Sequence, residues 1–178
     1  FMCYAEHEVE LSRRFNLIVG DNGKGKTTLL NAASVALGAA MLSFPEPANA
    51  RSINREEVHR KFYTKGQTTT AEPQFPCVVE CSGEFNGFYG SWARELKSED
   101  SRTTRQNANK LRHVAKVLHS KVQENRDDLL PVIASYGTGR LWVQLSQTAV
   151  RTLKPDTRFQ GYLDCLNPAS NEKRLVEW

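Results

Sequence analysis

The stretch GDNGKGKT occupies residues 20–27, between a short apolar run, FNLIV (15–19), and a long Ala/Leu-rich one, LLNAASVALGAAM (29–41). It fits G-x-x-x-x-G-K-[ST], with a strand pattern before it and a helix pattern after it, the context in which that spacing holds phosphate. Gly23 and Gly25 allow backbone angles and a close approach that a Cβ would obstruct, so successive N–H groups can turn toward phosphate oxygens. A helix starting near Lys26 adds its free N–H groups and the positive end of its dipole. On this reading Asp21, Asn22, Gly23, Lys24, Gly25, Lys26, Thr27 and Thr28 make up the binding loop. Lys26 takes the catalytic role at the β- and γ-phosphates, and the Thr27 hydroxyl ligates Mg²⁺. The alternative is a glycine-rich turn that caps a buried helix and holds no ligand.

Outward from the loop, the pattern is that of an α/β chain. Residues 4–12 alternate loosely and predict an edge-type strand, and the denser run 15–19 predicts a buried one. From Lys26 to about Met41 the apolar residues are nearly continuous, as in a helix packed on most sides. A short helix is expected near Asn54, where Asn54 and Glu57 make a capping pair before EEVHRKF, and TKGQTTTAEPQ then reads as a polar loop. Two β-rich runs around Asn86-Gly87 predict a hairpin over 75–97 with a type I′ turn. Leu111, Val114, Ala115, Leu118 and Val122 recur at helical spacing, which predicts a helix over 107–126. Lys110, Lys116, Lys121 and Arg126 lie outside that stripe, as a solvated face or a phosphate-contacting one. The run LLPVIAS predicts a second buried strand, with a loop following it, over 129–142. A last helix is expected to start near Ser170 or Asn171.

Bulk properties narrow the class. The 178 residues suffice for one well-buried domain, and a hydrophobic content of 39% with 25% charged residues is that of a chain that folds. A formal charge of +4 permits an acidic partner and does not specify one. Four cysteines without a dense framework of spacings fit reduced thiols, and the C-x3-C pair Cys77/Cys81 lacks the second pair or histidines of a zinc site. No apolar run approaches the ~20 residues of a membrane span, so a cytoplasmic protein without membrane contact is expected. The chain opens at Phe1 and stops at Trp178 inside an amphipathic segment, as expected of a fragment, or of the N-terminal lobe of a longer protein.

The finer form GDNGKGKTTLL resembles the G-x-N-G-x-G-K-[ST]-[ST]-[LI]-[LI] variant of the ABC-type ATPases, including the Rad50, SMC and RecF group. A guanine-specific N-K-x-D is absent, since residues 109–112 read NKLR. LLPVIASYGTGRLW (129–142) is similar to a segment of the ATPases of bacterial antiphage systems of the Septu kind and of some retrons, and so is RFQGYLDCLNPASNEKRLVEW (158–178). The resemblance implies a P-loop NTPase: an ABC-type head with a mixed central sheet and an antiparallel β-hairpin subdomain. It also implies ATP and Mg²⁺ as ligands, pairing of two heads around nucleotide, an HNH-type nuclease partner and, in retrons, a reverse transcriptase complex. By position, Tyr136 and Arg140 would lie in the loop that joins nucleotide to the partner lobe, with Gln144 beyond it.

Three departures stand against that pattern. Met2 sits where the family usually has a basic residue, leaving that contact missing or supplied by Arg13 or Arg14, and Lys24 stands where a small residue is commoner. Neither a run of four apolar residues followed by Asp-Glu nor an L-S-G-G-like signature occurs, so the expectation is that those residues lie in a C-terminal lobe outside this chain, which alone binds ATP better than it hydrolyses it. Beside the antiphage reading stand a DNA-repair or chromosome-type ATPase with nucleic acid on the basic face near 110–126, a transporter's nucleotide-binding subunit, and a non-enzymatic nucleotide sensor.

Overall fold

The computed structural model describes residues 1–44, 50–124, 127–137, 158–162 and 165–167. The first regular element is helix α1 (Lys26–Met41). Its buried face is built from small residues, Val35, Ala36, Gly38, Ala39 and Ala40, so neighbouring backbone can come close. At Gly38 an added Cβ would sit 2.7 Å from the Arg51 carbonyl oxygen and 2.8 Å from its nitrogen.

Against α1 packs the hairpin of β3 (Cys77–Phe85) and β4 (Phe88–Leu96), joined by Asn86-Gly87, as its sequence led one to expect. Both turn residues have positive φ, 48° and 80°, which a type I′ turn requires and which Asn and Gly tolerate best. The register sets Cys77 opposite Leu96, Val79 opposite Arg94 and Cys81 opposite Trp92. These pairs share the inner face, and Trp92 donates its indole N–H to the Ala36 carbonyl at 3.0 Å, fastening β4 to α1. Helix α2 (Asn109–Gln123) closes the other side through Leu111, Ala115, Leu118 and Val122, four of the five residues its periodicity singled out, the fifth, Val114, being half-buried. Lys110 and Lys116 are exposed on its outer face, and Lys121 pairs with Asp128 at 3.5 Å. One core cluster joins the C-terminal half of α1, Trp92, α2 and the turn carrying Phe159, Tyr162, Cys165 and Leu166; a second joins Val35, Ile53, Val58, Val79 and Leu96.

Several expectations are corrected. The capping pair at Asn54 and Glu57 exists, but it opens a single 3-10 turn (Arg55–Glu57) rather than a helix. The chain then turns into a second antiparallel hairpin, β1 (Arg60–Lys65) with β2 (Thr68–Pro73), where a helix and a polar loop were expected. Every residue of both strands is exposed, so no one-sided apolar alternation marks them. Neither 4–12 nor 15–19 forms a strand, and Phe15, Leu17 and Val19 are 75 to 80% exposed. The described part of the run 129–137 likewise has no strand, with Leu129 and Val132 exposed. The physical reason is edge pairing: a strand apolar on both faces needs neighbours on both sides, and the described residues supply neither run with a ladder partner. The sheets are therefore two separate antiparallel pairs, and no mixed central sheet is present among the described residues. Arg126, Arg140, Gln144 and the expected helix near residue 170 lie outside the described residues. No helix is long and apolar enough to cross a membrane.

Candidate phosphate-binding site

The loop before α1 turns by left-handed backbone at two places, Gly23 (φ 80°) and Gly25 (φ 87°). Gly25 is the N-cap of α1, and no side chain occupies the cap. The first turn of α1 holds no acidic residue. Among the described residues no acceptor is found for the amides of residues 26–28; the first helical bond runs from Leu29 N–H to the Gly25 carbonyl. Three N–H groups and the helix dipole thus face outward at one point, the electrostatics of an anion cradle. Lys26 folds across the loop, its ammonium donating to the carbonyls of Gly20 at 2.6 Å and Asp21 at 2.7 Å. Lys24, Asp21, Asn22 and Thr27 are exposed, whereas Thr28 is buried.

The N-terminal residues support this loop from below, which its spacing did not reveal. The Tyr4 hydroxyl donates to the Lys24 carbonyl at 3.0 Å, and the Tyr4 ring stacks on His7 at 4.4 Å between centroids. Cys3 Sγ lies 3.5 Å from Thr28 Oγ1. A Cβ at Gly25 would fall 2.4 Å from the Tyr4 oxygen and 2.8 Å from Cys3 Sγ. Gly25 is therefore required twice, by its φ and by the space above it. Residues 1–4 are anchored in turn: the Met2 N–H donates to the Glu57 carbonyl at 2.6 Å and the Met2 carbonyl meets His59 Nδ1 at 2.8 Å. Glu57 is itself buried and bidentate to Arg51.

Beside the loop opens a cleft of about 580 Å³, whose lining includes Tyr4, His7, Glu10, Phe15, Val19, Lys24 and Lys26. The donor set fits a triphosphate with its divalent cation: two lysines, outward amides, left-handed glycines and a Thr hydroxyl in the first helical turn. Of the residues named from the sequence, Lys24 and Lys26 line this cleft; Asp21, Asn22, Gly23, Gly25, Thr27 and Thr28 are not among its described lining residues, Tyr136 is exposed and does not line it, and Arg140 falls outside the described residues. Neither Arg13 nor Arg14, the two offered as substitutes for the missing basic residue, is among the described residues that line the cleft.

The family model described as "AAA domain" (AAA_23) matches residues 1–177. The chain is also 39% identical over 56 residues to structural maintenance of chromosomes protein 6 of Saccharomyces cerevisiae, a match covering 32% of this chain and 5% of that protein. The matched segment is thus a small part of its relative. A phosphate-loop spacing with left-handed glycines and a match along nearly the whole length agree, and the chain belongs to the AAA domain family.

Proposed function

We propose that this chain is the nucleotide-binding N-terminal lobe of an ABC-type ATPase head that binds ATP with Mg²⁺. The observation that carries the reading is the pair of left-handed glycines presenting free helix N–H groups beside Lys26. When nucleotide binds, Lys26 exchanges its two loop carbonyls for phosphate oxygens, a charge-assisted contact stronger than the neutral ones it leaves. Thr27 would offer its hydroxyl to the cation, which would supply charge neutralisation at the phosphates. Tyr136 and Arg140 are assigned to the partner side of the nucleotide by resemblance alone. The test is calorimetry with MgATP on the chain and on Lys26→Ala, alongside GTP. The expected result is ATP binding that the substitution weakens at least tenfold; equal affinity in both proteins would overturn the reading.

The finer assignment is to an antiphage complex in which ATP-driven pairing of two heads controls an HNH-type nuclease, in some systems beside a retron reverse transcriptase. Its support is the similarity of the strings YGTGR and GYLDCL to such ATPases. A second reading, a chromosome or DNA-repair ATPase that binds DNA, is favoured by the identity shared with the yeast chromosome protein. Affinity purification from the native host separates them: recovery of an HNH protein in stoichiometric amount supports the first and its absence sinks it.

A further inference from the structure

A second cationic cleft, of about 940 Å³, lies between the turn at 52–56 and the end of β4 with the segment 101–105. Arg55, Arg102 and Arg105 line it, all three exposed, and Glu56 is the one carboxylate among its described lining residues. None of the three guanidinium groups has an ion pair or a side-chain hydrogen bond among the described residues. Beneath them Arg94 is 1% exposed, and its acceptors are all neutral: the Thr104 carbonyl at 2.9 Å, the Arg51 carbonyl at 3.4 Å and Ser52 Oγ at 3.4 Å. Burial first, and then charge repulsion from Arg105 and Arg112, push the Arg94 guanidinium down to about 10. Arg112 keeps a buried Nε without an acceptor among the described residues. The fold thus gathers positive charge here with no ion pair to Arg55, Arg102 or Arg105 among the described residues, although the nearby Arg51 is neutralised by Glu57.

We propose that Arg55, Arg102 and Arg105 form a docking cleft for the phosphodiester backbone of a nucleic acid, separate from the phosphate loop. The planar fork of a guanidinium matches two phosphate oxygens, and arginine holds such a contact better than lysine. Three of them around a cleft this size exceed what one isolated phosphate requires and suit successive phosphates along a strand. No aromatic side chain is among the cleft's described lining residues, so these offer no platform on which bases would stack. Its contacts position the backbone and do not read sequence. The inference does not depend on nucleotide binding at Lys26, which belongs to the other cleft.

The test is fluorescence anisotropy on the whole chain with a labelled DNA of about 20 nucleotides, single-stranded and as duplex, over a salt series. Substituting all three arginines by Ala is expected to weaken binding at least tenfold and to reduce the slope of log K against log salt by about 2 to 3, near 0.7–0.9 per lost phosphate contact. Arg55→Gln alone, at an exposed side chain without partners, reduces it by about 1 and guards against a folding defect in the triple variant. Failure of the unaltered chain to bind DNA overturns the proposal, and so does equal affinity in the triple variant. Arginine-dependent binding of inorganic triphosphate without binding of the oligonucleotide overturns the assignment to nucleic acid.

Discussion

Gly25 and His119 show how single residues tie stability to the site. Alanine at Gly25 would carry left-handed strain of roughly 1–2 kcal/mol and drive a methyl group into Tyr4 and Cys3. Displacing either residue moves the loop, so Gly25→Ala is expected to cost about tenfold or more in ATP affinity by calorimetry. Unaltered affinity would show that the close approach has no role. His119 lies edge-on to Phe159, and its Nε2 is buried without a hydrogen-bond partner among the described residues. Burial holds this imidazole below its ordinary value near 6.5, in the neutral form. The unfolded chain takes up that proton as pH falls through 6.5 while the folded one resists it. The stability present above 6.5 is therefore lost progressively below it. His119→Phe is expected to flatten the fall in Tm between about pH 7 and 5.5, read by thermal denaturation; an unchanged slope would exclude His119 as the cause.

At the scale of elements, α1 is defined by how closely it lies on its neighbours. Gly38→Ala would raise helix propensity by about 1 kcal/mol, yet the new methyl meets the Arg51 backbone at both nitrogen and oxygen. Backbone cannot swing aside as a side chain can, and overpacking of this kind costs about 1–3 kcal/mol. The net effect is a loss of stability, measured as a lower denaturation midpoint; a gain would mean that residues 50–52 yield easily. The two hairpins differ in the same terms. β3 and β4 alternate, meet at Asn-Gly and bury Trp92 and Leu96, so their positions were legible from residue types. β1 and β2 bury nothing and turn at a lone Gly66 with φ 62°. The same residues carry helix formers and threonines in mixed order, so only the completed ladder identifies them.

Across the whole molecule, cohesion is uneven. Two apolar clusters hold α1, α2, β3 and β4 together, whereas the β1–β2 hairpin is exposed along both strands. A two-stranded hairpin without a packed face is marginal by itself. Its amides are expected to exchange with deuterium at least ~100-fold faster than those of β3 and β4, since local opening costs far less than opening the core. Equal protection in hydrogen-exchange mass spectrometry would refute this. The segment 15–19 presents the reverse mismatch, three large apolar side chains in water directly before the phosphate loop.

The residue pattern by itself determined the loop at 20–27, the helix after it, the Asn-Gly hairpin and the apolar stripe of α2. Each rests on local chemistry: glycine's freedom at positive φ, the 3.6-residue period and turn propensity. Tertiary structure alone decided that Tyr4 and Cys3 brace the loop, that Arg94 is buried against carbonyls, and that Arg55, Arg102 and Arg105 meet around one cleft. Such contacts join residues up to 57 positions apart, as Met2 and His59 do, and no local period encodes them. It also decided against strands at 15–19 and 129–135. Apolar composition permits a strand there, but a strand exists only where another chain segment accepts its hydrogen bonds.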